Sequence, residues 1–109
     1  MLTFYLPSFL ADNGNFHSEH GLAEKWFPHE ESIRVPLVVW DPRLPKSKRG
    51  IVNDDYVLSI DLAPTILKAA GVEVPSTMQG RDFSDLYLEQ DVDWRTEWCK
   101  YKQFCPSME

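Results

Sequence analysis

The sequence predicts an α/β fold, and three stretches carry that prediction. Residues 2–10 are apolar and β-prone, and residues 33–42, IRVPLVVWDP, form a second strand-like run. DLAPTILKAAG at 61–71 combines a helix start and a helix stop within one short segment. A chain of 109 residues has room for one domain. A domain of that size buries roughly two-thirds of the surface its unfolded chain exposes. Its 43% hydrophobic and 26% charged residues are those of a folded protein rather than a disordered one.

In the first strand Thr3, Phe4, Tyr5 and Phe9 favour extended backbone, while Pro7 removes one ladder donor. The opening MLTFYLPSFLA has no basic residue ahead of its apolar part and is interrupted by Pro7, so it reads as a strand and not as a cleaved signal. From Asp12 to Ser32 no period of 2 or 3.6 is sustained, which predicts a long functional loop with a short helical turn. Val35, Leu37, Val38 and Val39 are apolar on both faces, as in a strand covered on both sides.

PRLPKSKRG at 42–50 has two prolines and a glycine among its basic residues, with no aromatic residue interleaved, and reads as a solvated loop. Tyr56–Leu58 is a short strand or an extended lead into a helix over 61–70. There Asp61 caps, Pro64 lies in the first turn and Gly71 takes the C-cap, with Leu62, Ile66 and Ala69 or Ala70 on one face. A second short helix is expected over 82–89, with Asp82 as cap and Phe83, Leu86 and Tyr87 on one face. The tail from Asp91 shows no convincing period, and the chain contains no internal repeat.

The formal net charge of −6 and the lack of a basic stripe argue against a nucleic-acid or anionic-membrane partner. No run reaches the 18 or so apolar residues of a membrane span. Cys99 and Cys105 allow at most one disulfide and lack the further ligands of a zinc site, so the compartment stays undecided. Against this background DNGNFHSEHGLAEK at 12–25 stands out, with an acid, an amide, two histidines and a single lysine in one loop.

Taken in order, DNG at 12–14, EHGLAEKWFPHEESIRVPLVV at 19–39, DLAPTILKAAG at 61–71 and QGRDF at 79–83 resemble the sulfatase family. The resemblance implies a fragment of an alkaline phosphatase-like mixed sheet flanked by helices, the C-terminal part of a catalytic domain, over residues 1–98, followed by a divergent tail at 99–109. It implies hydrolysis of sulfate esters of a small molecule or carbohydrate, assisted by a divalent cation, usually Ca2+, with a formylglycine nucleophile. Asp12 and Asn13 match the two oxygen ligands of the cation, a donor pair suited to a hard ion. Lys25 matches the lysine that holds a sulfate oxygen and steadies developing charge. His20 either lines the substrate pocket or acts on the leaving oxygen, or it is an ordinary loop histidine. His17 and His29 match no family role, and Glu30 and Glu31 are expected to order the loop or face solvent.

The family's Cys/Ser-x-Pro-x-Arg motif, from which formylglycine is made, is not found. Cys105 abuts Pro106, and Met108 and Glu109 follow where the pattern needs other residues. Diverging ends around a matched middle imply part of a longer gene, whose remainder would be the partner that completes the site. The chain alone is therefore expected to be inactive. The family is commonly exported or lysosomal, while the chain has no signal of its own that fixes a compartment. Two other readings stay open. One is a phosphate or phosphonate ester hydrolase of the same superfamily, against which Asn13 weighs because zinc or manganese sites favour histidine there. The other is a non-catalytic calcium-binding or interaction module.

Overall fold

A computed structural model describes residues 6–25, 27–88 and 92–97. The chain divides into two compact units, Leu6–Trp40 and the described residues from Asp41 onward. The start of the first expected strand, the end of the second expected helix at Glu89, and the tail 99–109 with Cys99 and Cys105 lie outside the described residues.

In the first unit, β1 (Ser8–Leu10) pairs antiparallel with β4 (Leu37–Val39), placing Ser8 opposite Val39, Phe9 opposite Val38 and Leu10 opposite Leu37. Pro7 stands at the end of the ladder, where its carbonyl accepts from the Trp40 N–H at 3.0 Å and its missing N–H costs nothing. The second strand is shorter than the apolar run that predicted it, because Pro36 immediately precedes it. It is also not covered on both sides: Val38 is 60% exposed and its partner Phe9 68%.

The segment read as a loop is more structured than its lack of period suggested. β2 (Phe16–His17) and β3 (Ala23–Glu24) form a small antiparallel ribbon, with Phe16 opposite Glu24 and His17 opposite Ala23. A three-residue 3-10 turn, Glu19–Gly21, connects them. The short helix α1 (Glu30–Ile33) follows, as the expected helical turn. Phe16 is buried at 2% exposure and is the apolar anchor of the ribbon. Alternation fails here because the pairings are two residues long and separated by left-handed positions.

In the second unit, α2 (Leu62–Ala69) follows a 3-10 turn at Ser59–Asp61. Its C-terminus closes as expected on Gly71, at φ +72°: the Val72 N–H reaches the Leu67 carbonyl and the Gly71 N–H the Lys68 carbonyl. Asp61, however, does not cap α2 with its side chain. Its carboxylate instead accepts from the Leu58 N–H (2.8 Å), the Arg81 N–H (2.8 Å) and both terminal nitrogens of Arg95. The buried face of α2 follows that polar anchor. Pro64 and Thr65 are buried while Ile66 is 59% exposed, so the face runs along 61, 64 and 65 and not along 62, 66 and 69. Thr65 Oγ1 donates to the Asp61 carbonyl (2.7 Å) and accepts from the Phe83 N–H (3.0 Å). Gly80 is where the loop passes closest, since a Cβ there would be driven into the Ile60 carbonyl.

The second expected helix is α3 (Asp85–Leu88), shorter than 82–89. Asp82 acts just ahead of it, accepting from the Ser84 N–H (2.9 Å) and the Ser84 hydroxyl (2.8 Å), with Lys68 Nζ at 3.1 Å. The loop after β4 is not wholly solvated. Arg43 is pinned to buried Asp41, with Nη2 at 2.5 Å, and Tyr87 of α3 donates to the same carboxylate at 2.8 Å. Lys46–Lys48 form a 3-10 turn whose remaining basic residues fit the solvated reading.

Burial alone would raise the Asp61 carboxyl, but the Arg95 guanidinium and the two backbone N–H donors more than offset it and hold it below the usual carboxylate range. Stability from this group is therefore complete above an ordinary aspartate pKa of about 3.9 and is lost as pH falls through the lower folded value. Asp61→Asn is expected to cost about 3–5 kcal/mol at neutral pH, the usual penalty for breaking a buried pair. The gap from wild type in thermal melts should close below about pH 4; a gap that persists unchanged at acid pH would refute the ion-pair account.

A second expectation concerns Gly14. Its φ is not in the left-handed region, but a Cβ there would be driven into the backbone carbonyl of Glu31. Gly14→Ala should therefore destabilise the chain by about 1–3 kcal/mol through overpacking, measurable in urea melts, whereas an unchanged midpoint would show that α1 can move aside freely.

Candidate functional site

All four residues singled out from the sequence fall in the first unit, in the loop between β1 and β4. Asp12 is exposed directly after β1, and its carboxylate has no hydrogen-bond partner among the described residues. Asn13 is half-buried; its Nδ2 donates to the Gly14 carbonyl at 2.7 Å, which fixes the amide and directs Oδ1 the other way. That oxygen accepts from Lys25 Nζ at 3.1 Å. The structure thus brings the expected cation ligand and the expected sulfate clamp together across twelve residues of sequence.

The ribbon explains the approach. Strand pairing returns the chain from Phe16–His17 to Ala23–Glu24, so Lys25 emerges beside the DNG segment. Ser18 (φ 82°), His20 (φ 55°) and Glu24 (φ 69°) are all left-handed, as is Gly21 (φ 70°). Such backbone costs a non-glycine residue roughly 1–2 kcal/mol, so the turn holds its shape only with compensating contacts. One of these is at Glu19, whose carboxylate accepts from the His17 N–H. Hydrogen bonds from its own backbone N–H and from that of His17 hold this exposed carboxyl below the usual range.

His20 does not join Lys25. Its Nε2 lies 3.2 Å from Glu31 Oε1, and its ring stacks on that of His29 with centroids 4.8 Å apart and planes 20° from parallel. Phe16 meets both imidazoles edge-on. Glu31 orders the loop, as expected, by gripping His20. His29, which matched no role, is the surface against which His20 rests.

Sequence reasoning missed Ser32. It is 1% exposed; its hydroxyl donates to the Lys25 carbonyl at 2.5 Å and its carbonyl accepts from the Gly14 N–H at 2.9 Å. A serine in a four-residue helix carries no periodic signal, and only its place between two charged residues and an apolar strand marked it as a candidate for burial.

As chemistry, the arrangement offers a carboxylate and a carboxamide oxygen on adjacent residues, with one ammonium beside the amide. Two hard oxygen donors suit a cation such as Ca2+, which takes six to eight oxygens in total. Among the described residues, no group of three or more His, Cys, Asp and Glu is placed to hold a metal ion. No described helix is long and apolar enough to cross a membrane.

Comparison with known proteins gives this geometry a family. Residues 18–107 match the family described as N-sulphoglucosamine sulphohydrolase, C-terminal. The chain is 35% identical over 88 residues to an arylsulfatase of Clostridium perfringens, covering 80% of this chain and 18% of the relative. It is 40% identical over 92 residues to an N-acetylglucosamine-6-O-sulfatase of Bacteroides thetaiotaomicron, covering 80% of this chain and 16% of the relative. A solved structure in complex with its substrate D-glucosamine-2-N,6-O-disulfate superposes with a TM-score of 0.74 at 35% identity, over 83% of this chain and 18% of that one. The chain thus spans less than a fifth of the length of these relatives, and its ribbons and helices are part of an alkaline phosphatase-like fold. With the match running through the His20 and Lys25 loop, α2 and α3, the chain belongs to the sulfatase family and corresponds to its C-terminal region.

Proposed function

We propose that this chain supplies half of the active site of a sulfuric ester hydrolase acting on a sulfated carbohydrate, the other half coming from the remainder of the catalytic domain. The observation that carries the reading is the contact of Lys25 Nζ with Asn13 Oδ1 at 3.1 Å, which sets an ammonium beside a hard-cation ligand. An anionic sulfate bridging the two positions would meet positive charge from both.

Asp12 and Asn13 are the residues that would hold the divalent cation, for which Ca2+ suits an all-oxygen pair. When bound, such an ion withdraws charge from a coordinated sulfate oxygen. Lys25 holds a second sulfate oxygen and stabilises negative charge that grows as the ester bond lengthens. His20 has its Nε2 engaged by Glu31, which leaves Nδ1 to accept from a sugar hydroxyl or, in the imidazolium form, to deliver its proton to the leaving oxygen. The sulfated-glucosamine ligand of the solved relative supports a carbohydrate substrate. The residues present do not provide the formylglycine nucleophile, since no Cys/Ser-x-Pro-x-Arg motif occurs among the 109 residues, and no step is assigned to it.

Two measurements on the purified chain test this. Aryl sulfate should not be turned over. Sodium sulfate titrated at constant ionic strength with calcium present should shift the Lys25 and Asn13 resonances, and Lys25→Ala should weaken that binding about tenfold, a loss of about 1.4 kcal/mol. Turnover by the chain alone, abolished in Lys25→Ala, would overturn the half-site account. Sulfate shifts indifferent to Lys25→Ala would overturn the role of the lysine.

A further inference from the structure

We infer that Ser32 is a positioning residue of this site, a group that fixes the cation-ligand end and the sulfate end of the loop relative to each other. The inference rests on the role proposed above for Lys25, and it extends that role to a residue that touches neither ion.

Its basis is the set of bonds made by one side chain and its backbone. Ser32 is 1% exposed. Its hydroxyl donates to the Lys25 carbonyl at 2.5 Å, its carbonyl accepts from the Gly14 N–H at 2.9 Å, and its own N–H reaches the His29 carbonyl at 2.9 Å. Gly14 directly follows Asp12 and Asn13, and His29 carries the ring on which His20 stacks. The backbones at 14, 25 and 29 are therefore referred to a single residue of α1.

The need for such a residue follows from Lys25 itself. The β2–β3 ladder ends with Phe16 opposite Glu24, so the Lys25 carbonyl has left the strand pairing. Glu24 before it is left-handed at φ 69°, a conformation that does not carry the strand onward. A lysine side chain is a flexible four-carbon stem that loses about 2 kcal/mol of rotamer entropy when fixed. If its backbone also drifted, the ammonium would spread over many positions and meet Asn13 Oδ1 only a fraction of the time. The Ser32 hydroxyl removes the backbone part of that freedom.

Two functions of this serine can be told apart. If it merely gives the Lys25 carbonyl a partner, removing the hydroxyl costs stability and nothing else. If it positions Lys25, removal also releases the ammonium from Asn13 while the helix and its Gly14 contact remain, since the latter uses the Ser32 backbone.

The experiment is NMR of the lysine ammonium groups in the full chain, with thermal melts alongside. In the wild type, Lys25 should give a slowly exchanging NH3+ signal, absent in Asn13→Ala. In Ser32→Ala the chain should still melt cooperatively but lose that signal, and sulfate binding should weaken about fivefold, the factor that one net hydrogen bond represents. Calcium binding should not weaken in the same variant, because its ligands are not displaced. Ser32→Thr, which keeps the hydroxyl, should restore the signal. A folded Ser32→Ala chain that keeps the Lys25 signal overturns the proposal, as does a wild type without it. If Ser32→Ala does not fold, Ser32→Cys replaces it, having nearly the same volume but a weak donor; if neither folds, Ser32 is a fold-holding residue and the proposal falls. A Lys25 signal that depends on Ser32, together with sulfate binding that ignores Lys25→Ala, would sustain the positioning role while refuting the sulfate role of Lys25.

Discussion

A buried polar group has to find partners inside the protein, and in each unit of this chain one such group dictates where the surrounding backbone goes. Leaving a buried donor or acceptor unmade costs roughly 1–3 kcal/mol, so these groups act as hubs to which separate segments must come. Asp61 is fully buried and draws in the backbones of Leu58 and Arg81 and the guanidinium of Arg95, itself packed over the Trp94 ring at 4.9 Å. Ser32 does the same on a smaller scale for residues 14, 25 and 29. Buried apolar side chains are few among the described residues, Phe16, Pro64 and Phe83, and each lies close to one of these hubs in sequence or contact.

The same constraint explains why functional groups can sit on a segment with so little regular structure. Left-handed backbone at Ser18, His20 and Glu24 is unfavourable for residues with a Cβ. It is maintained by specific bonds: the Glu19 carboxylate to the His17 N–H, the Glu31 carboxylate to His20, and Ser32 to Lys25. Each of these joins residues close together in the loop, so the loop's geometry belongs to the loop and α1. The exposed β1–β4 ribbon contributes the anchoring ends, and not the shape between them.

What the sequence revealed and what it hid follow from the same physics. Both ends of α2 were legible because Pro64, in its first turn, and Gly71, just past its last, have backbone preferences that need no partner to express. The family was legible because DNG, EHGLAEK and DLAPTILKAAG recur together in order. The face of α2 was misread because a 3.6-residue apolar period assumes that apolar groups choose the buried side; here the Asp61 and Thr65 bonds chose it and turned Ile66 outward. Asp61 was expected to cap a helix because its residue type favours that, but the Leu58 and Arg81 N–H groups and the Arg95 guanidinium occupy its carboxylate instead. Ser32 and His29 carried no periodic signal, since both matter through contacts between segments that only the folded loop brings together.

The pairing of Lys25 with Asn13 also bears on affinity. In the proposed site, the Lys25 ammonium beside the Asn13 carboxamide oxygen would set like charges near each other once a cation is bound, which would disfavour cation binding until an anion arrives between them. Under the proposed function a sulfate group would be that anion, bringing oxygens for the cation and acceptors for Lys25 at the same time. Each ion then raises the affinity of the site for the other by the same factor, as linkage requires. A half-site of two oxygen donors and one lysine should therefore hold either ion weakly alone and both together appreciably better. It is a property of the loop from Asp12 to Ser32, because every residue in that argument lies within it.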